Sequence, residues 1–69
     1  ENKKSREGIL LFDELAKKYP ENNSIPIILG NFYLALSDTM NAKKAYSKAL
    51  EMDPNNDQLF KSVAKLSKQ

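Results

Sequence analysis

The chain has 69 residues and a formal net charge of +2, and it contains no cysteine and no histidine. Without these residue types it has no disulfide bond, no thiolate metal site and no histidine general base, and we expect no cofactor and no metal site. A net charge this small does not favour nucleic acid as a partner, because phosphate binding needs a concentrated basic surface.

A chain of this length forms one small domain, which we assign to residues 1–69. No apolar run approaches the ~20 residues of a membrane-spanning helix, and residues 1–6 lack the apolar segment of a signal peptide. We therefore expect no membrane span. The lack of a targeting signal slightly favours the cytoplasm and leaves the compartment open.

The first predicted helix covers residues 5–19, with Ser5 as its N-cap and Pro20 just after its end. Its apolar residues recur at helical spacing and share one broad face: Gly8, Ile9, Leu11, Phe12, Leu15, Ala16 and Tyr19. Leu10 instead falls among the charged residues. An exposed leucine is either incidental or part of a contact with a missing partner.

The second predicted helix covers residues 24–36, with Ser24 as its N-cap and Pro26 in its first turn, where the missing N–H is no loss. Gly30 lies in its interior, at a cost of about 1 kcal/mol relative to alanine. We interpret Gly30 as a point of close approach by another helix, with small alanines opposite it. The candidate buried residues are Ile25, Ile28, Leu29, Phe32, Tyr33 and Leu36.

The short segment 37–39 forces the helices on either side to be antiparallel and in contact. A third helix is predicted over residues 40–52, and a fourth over residues 57–67 with Asn56 or Asp57 as its N-cap. The predicted core faces of these two helices are Ala42, Ala45, Tyr46, Ala49, Leu50 and Met52, and Leu59, Phe60, Val63, Ala64 and Leu66. The predicted fold class is therefore all-α, with about four helices.

An internal repeat relates the two halves of the chain. Pro20 and Pro54 are 34 positions apart, and the same offset joins other residues of similar size and polarity. These pairs include Gly8 with Ala42, Phe12 with Tyr46, Asn22 with Asn56, Leu29 with Val63, and Gly30 with Ala64. A fixed offset maintained over two helix types indicates a helical repeat protein.

Leu29-Gly30-x-x-Tyr33, Ala42-x-x-x-Tyr46, Ala49 and Pro54 together resemble the tetratricopeptide repeat. Pro26 departs from that pattern, because it takes a slot where the family usually has tryptophan or another large residue. The resemblance implies antiparallel helical hairpins in a right-handed solenoid. Residues 5–19 would be the second helix of a preceding repeat, residues 23–56 a complete repeat, and residues 57–69 the following first helix or cap. The related pentatricopeptide array, which binds RNA, has 35-residue units, and the offset of 34 favours the tetratricopeptide interpretation.

The resemblance also implies a protein-interaction module, in which the first helices of successive repeats line a concave peptide-binding groove. The positions that would face this groove are Ile27, Asn31, Leu34, Lys61, Lys65 and Lys68. The three lysines either contact a ligand or only make the end of the stack soluble. If they contact one, the preferred partner is an acidic amphipathic segment of another protein.

The residues also bear on three other functions. Some members of the family bind the carboxylate end of chaperones, but Ile27, Ile28, Gln58 and Ser62 occupy positions where that clamp needs lysine, asparagine, lysine and arginine. Enzymatic activity is not expected, because the carboxylates are scattered and no phosphate loop or activated nucleophile is present. The alternative to a groove ligand is self-association, to a homo-oligomer, through an open N-terminal face made of Leu10, Leu11 and Leu15.

Overall fold

The computed structural model describes residues 3–68, which form four α-helices. They are α1 (Lys3–Lys18), α2 (Ser24–Ala35), α3 (Thr39–Met52) and α4 (Asp57–Ser67). No β-strand occurs within the described residues. The all-α prediction is confirmed, and every helix boundary lies within two residues of its predicted position. Glu1, Asn2 and Gln69, which the predicted domain includes, lie outside the described residues.

The helices are stacked in chain order. α1 packs on α2, α2 on α3, and α3 on α4, and among residues 3–68 only neighbouring helices bring their backbones into close contact. The result is a flat molecule with extents of 30 × 29 × 14 Å. Each inner helix therefore has one flanking helix on either side and two surfaces that remain open.

The core is centred on α3. Ala42 and Ala49 are completely buried, and together with Tyr46 and Leu59 they form the main buried cluster. Half-buried apolar residues pack around this cluster: Ile27, Tyr33, Leu50, Val63 and Leu66. A second contact joins α1 to α2, where the rings of Phe12 and Phe32 lie 5.7 Å apart between centroids.

Two of the predicted helix caps are wrong. α1 begins at Lys3, so Ser5 lies inside the helix and is buried there. α2 has Asn23 at its N-cap position, and Ser24 is its first helical residue. The Asn22 side chain performs the capping role instead, because its Oδ1 accepts a hydrogen bond from the Ser24 N–H at 3.0 Å.

The caps of α3 and α4 are made by acidic or amide side chains. Asp38 Oδ1 accepts from the Asn41 N–H at 3.2 Å, and Asn56 Oδ1 accepts from the Leu59 N–H at 3.1 Å. Asn56 is therefore the N-cap of α4, and it is one of the two residues predicted for this role. Each of these bonds satisfies a backbone donor that the first turn of a helix leaves without an intrahelical partner.

α2 ends in a left-handed turn at Ser37, whose φ is +59°. The Ser37 N–H donates to the Leu34 carbonyl and the Asp38 N–H donates to the Tyr33 carbonyl, both at 2.9 Å. This pair of bonds is the Schellman arrangement, which satisfies the last carbonyls of a helix and reverses the chain. It places α3 directly against α2.

Gly30 is a point of close helix approach, as predicted, but the group opposite it is an aromatic ring and not an alanine. A Cβ atom at residue 30 would lie 2.5 Å from Tyr46 Cε1. Two alanines of α3, Ala42 and Ala49, are buried in the same cluster as Tyr46. Gly30 therefore makes room for the Tyr46 ring between α2 and α3.

No helix within residues 3–68 combines the length and the apolar character needed to cross a membrane.

Candidate functional site

A groove runs between α2 and α4, and α3 forms its floor. The floor residue is Tyr46, whose side chain is only 5% exposed. Its hydroxyl donates a hydrogen bond to Oδ1 of Asn31 on the α2 wall. Burial raises the pKa of Tyr46 above its ordinary value, so the hydroxyl remains a neutral hydrogen-bond donor at neutral pH.

The groove has two connected parts. One is a cavity of ≈ 190 Å³ between Ile27 and Asn31 on α2 and Gln58 and Ser62 on α4. The other is a cavity of ≈ 260 Å³ lined by Leu34 on α2 and by Ser62, Lys65 and Leu66 on α4. Tyr46 and Ser62 line both parts, so the two form one continuous surface.

The structure brings four of the six predicted groove residues together. Ile27, Asn31, Leu34 and Lys65 line the groove. Lys61 and Lys68 are exposed and lie outside its lining.

The reason for this difference is geometric. The prediction took positions on α2 and α4 that the 34-residue offset relates, and such positions point in the same direction on both helices. A groove between the two helices is instead lined by the flank of α2 that faces α4 and by the flank of α4 that faces α2. At about 100° per residue, Ser62 lies about 60° from Lys65 toward the groove, and Lys61 lies about 40° from Lys65 on the other side. Lys65 is thus at the groove edge, and the remaining two lysines face away from it.

Six lining residues of the groove were not predicted as part of the site: Tyr46, Asn56, Gln58, Leu59, Ser62 and Leu66. Tyr46 was assigned to the core alone, although a tyrosine carries a polar end that usually finds a partner when its ring is buried. Gln58 and Ser62 are one helical turn apart on α4 and follow the same face as Leu66. This spacing is present in the sequence, on the flank of α4 next to the lysine stripe.

The chemistry of the lining is that of a binding surface. Apolar contact comes from Ile27 and Leu34, hydrogen-bonding groups come from Asn31 and Ser62, and one positive charge comes from Lys65. No carboxylate is among the lining residues of either part. An incoming acidic group therefore meets one attractive charge and no negative charge in the groove.

The predicted self-association residues lie on the outer side of α1. Leu10 is 69% exposed and Leu11 is 59% exposed, while Leu15 is half-buried. Leu11 and Leu15 line a shallow depression together with Glu14, Lys17 and Lys18. The three leucines thus form an apolar strip on α1, with charged residues of both signs beside it.

Comparisons of this chain with protein-family models, with curated proteins and with solved structures found no match.

Proposed function

We propose that this chain is a protein-interaction module of the tetratricopeptide type, which holds a peptide segment of a partner in the groove between α2 and α4. The observation that carries the proposal is the composition of this groove. Two apolar residues, Ile27 and Leu34, lie along one wall, and Lys65 lies at the edge of the other. An amphipathic segment with apolar anchors and a carboxylate is complementary to this arrangement.

The proposed architecture is a right-handed solenoid of helical hairpins. In it, α1 is the second helix of a preceding unit, residues 23–56 form a complete unit with α2 and α3, and α4 is the first helix or cap of the next. The stacking in chain order and the 34-residue offset support this assignment. The module has no catalytic role in this proposal.

The expected affinity is modest because the groove is short. We expect a Kd between about 1 μM and about 1 mM for a single peptide, which corresponds to ~4 to 8 kcal/mol. Ordering the peptide costs conformational entropy, and the buried, hydrogen-bonded Tyr46 at the groove floor limits the corresponding cost on the protein side. Part of the affinity should be lost with added salt, because Lys65 is exposed and its interactions are screened.

The test uses a fluorescein-labelled peptide with leucines at helical spacing and glutamates beside them, and the readout is fluorescence anisotropy. Lys65→Glu should weaken binding by about tenfold, because it puts a negative charge at the groove edge. Lys61→Glu is the matched control, since it makes the same charge change one turn earlier on α4 and outside the lining. Its Kd should change by less than about twofold once salt is at a physiological level.

A third variant separates apolar contact from charge. Ile27→Ala should weaken the peptide by an amount that changes little with salt, because the lost interaction is hydrophobic. Circular dichroism should show unchanged helix content for all three variants, since Ile27 is only half-buried and both lysines are exposed. If the Lys65→Glu protein binds the peptide as tightly as the unsubstituted chain, the groove is not the binding site.

Self-association is the second candidate function, and the exposure of Leu10 and Leu11 favours it. Two α1 helices that pair through this strip would remove both leucines from water. This function needs no groove ligand, and the two candidates place their binding surfaces on different helices.

A further inference from the structure

A second cleft, of ≈ 260 Å³, lies between α1 and α3 with α2 at its base. It shares no lining residue with the groove between α2 and α4. On α3, Tyr46 belongs to the groove, whereas Lys44 and Lys48 belong to the cleft. The helical positions of these residues differ by about half a turn, so the two openings are on opposite sides of α3.

The cleft exists because α1 and α3 both pack on α2 and do not pack on each other. Pro26 is one of the residues at its base and is buried. The 34-residue offset relates Pro26 to Phe60 in the second copy of the repeat. The base of the cleft therefore carries the small proline ring at a position where the other copy of the repeat carries the larger phenyl ring.

The cleft is apolar inside and charged at its edges. Leu29 and Ala45 are among its apolar lining residues, with Lys44 and Lys48 on the α3 side and Asp13 on the α1 side. The cations on adjacent turns of α3 outnumber the single carboxylate. An apolar group with an acidic neighbour is therefore favoured over one with a basic neighbour.

Tyr33 adds a polar group to the cleft lining. Burial raises the pKa of its hydroxyl, and the charges of Asp13 and Asp38 raise it further. The hydroxyl is thus neutral at physiological pH and is available as a donor or an acceptor near Asp13.

We infer that this cleft is a second binding site, which accepts one aromatic side chain of a partner peptide together with an adjacent carboxylate. Its volume of ≈ 260 Å³ is below the ~300 to 1,000 Å³ of typical small-molecule pockets, so it suits a single ring system and not a larger ligand. An aromatic ring supplies much apolar area with few rotatable bonds. The carboxylate would lie toward Lys44 and Lys48.

The absence of tryptophan from the chain makes a direct test possible. The probe is acetyl-Glu-Trp-Glu-amide, and acetyl-Glu-Ala-Glu-amide is its control. On addition of the protein, the tryptophan emission should shift to the blue and saturate with a Kd on the order of 1 mM, as expected for a single anchor. Amide resonances of Leu29 and Ala45 should move with the same Kd, and the alanine peptide should move neither.

Two kinds of variant test the cleft. Pro26→Phe introduces the residue that the other copy of the repeat has, and by occupying the cleft it should weaken the probe by at least about fivefold. Lys44→Glu combined with Lys48→Glu leaves the apolar base intact and should weaken it by about tenfold. Lys43→Glu is the matched control on the same helix, because Lys43 is exposed outside the cleft, and it should change the Kd by less than about twofold.

Circular dichroism establishes that each variant is folded, and the lysine variant decides the matter if Pro26→Phe does not fold. The inference is wrong if the alanine peptide binds as well as the tryptophan peptide, or if the charge reversal has no effect. It is also wrong if the resonances that move are those of Asn31 and Ser62, because the probe is then in the groove. A last outcome concerns the protein without the probe. If the cleft resonances move as the protein concentration is raised, and no longer do so in Phe60→Ala, the cleft binds a second copy of this chain and the proposal is wrong.

Discussion

Tyr46 is the residue at which the core and the groove meet. Its ring lies against Gly30 between two helices, and its hydroxyl reaches the exposed Asn31 on the groove wall. A change at this side chain therefore affects stability and the groove together, unless it removes the hydroxyl alone.

Tyr46→Phe removes only the hydrogen bond to Asn31 and keeps the ring. We expect it to lower the free energy of unfolding by about 0.5 to 1.5 kcal/mol, the net value of one such bond. The Asn31 amide is exposed and can bond to water in the variant, which keeps the loss at this modest size. Urea denaturation measures it, with Tyr19→Phe as the control at an exposed tyrosine.

The same variant should also change the response to alkaline pH. Burial raises the pKa of Tyr46 in the folded protein, so the folded state holds this proton more tightly than the unfolded state does. The stabilisation from this group is complete below about pH 10, the ordinary tyrosine value, and is lost as the pH rises through the folded pKa. The stability difference between the two proteins should therefore shrink above about pH 10, and a constant difference would contradict this account.

At the scale of helix pairs, Gly30 and Gly8 allow a matched comparison. A Cβ at residue 30 would meet Tyr46, and a Cβ at residue 8 would meet Phe32 Cζ, each at 2.5 Å. Tyr46 is buried and hydrogen-bonded, so it cannot move away without loss, whereas Phe32 is only half-buried. Rigid neighbours make added volume costly.

We therefore expect Gly30→Ala to destabilise the protein by about 1 to 3 kcal/mol, even though alanine is the better helix former. Gly8→Ala should cost less, because the Phe32 ring can turn aside and the gain in helix propensity offsets part of the strain. Thermal unfolding followed by circular dichroism compares the two. Equal or reversed effects would show that the fit at Tyr46 is not the tighter of the two contacts.

The helices themselves were predictable because independent local signals agreed. Apolar periodicity, the prolines at positions 20 and 54, and the Asn56 cap all indicated the same boundaries. The cap assignments at Ser5 and Ser24 failed, because α1 extends beyond Ser5 and because the Asn22 side chain caps α2 by accepting from the Ser24 N–H. Such local choices are decided by geometry that residue type alone does not specify.

The groove was predictable only in part. The 34-residue offset identified the helices on its two sides, and Ile27, Asn31, Leu34 and Lys65 are the predicted residues that line it. It could not show which flank of α4 faces α2, because that depends on the lateral packing of both helices on α3. The cleft between α1 and α3 was not predicted at all, although Pro26, which departs from the repeat pattern, lies at its base.

For the whole molecule, the exposed strip on α1 leads to a prediction about association. We expect a dimer or larger assembly at millimolar concentration, because Leu10 and Leu11 form an apolar surface that pairing would cover. Leu10→Lys combined with Leu11→Lys should return the protein to a monomer. Static light scattering across a concentration series measures the mass.

Met40→Lys is the matched control for this experiment, because Met40 is an equally exposed apolar residue on α3, away from the strip. It should leave the association unchanged. A monomer mass for the unsubstituted chain at millimolar concentration, unaffected by the leucine substitutions, would eliminate self-association as a function of this face.

The stacking of each helix on its chain neighbours also has a kinetic consequence. Every close contact between helices joins segments separated by one short connection, and the longest of these connections is residues 19–23. The search for native contacts therefore closes only small loops, and such chains fold in microseconds to milliseconds. Folding can begin at any adjacent pair of helices and spread in both directions, so the molecule need not assemble around a single obligatory nucleus.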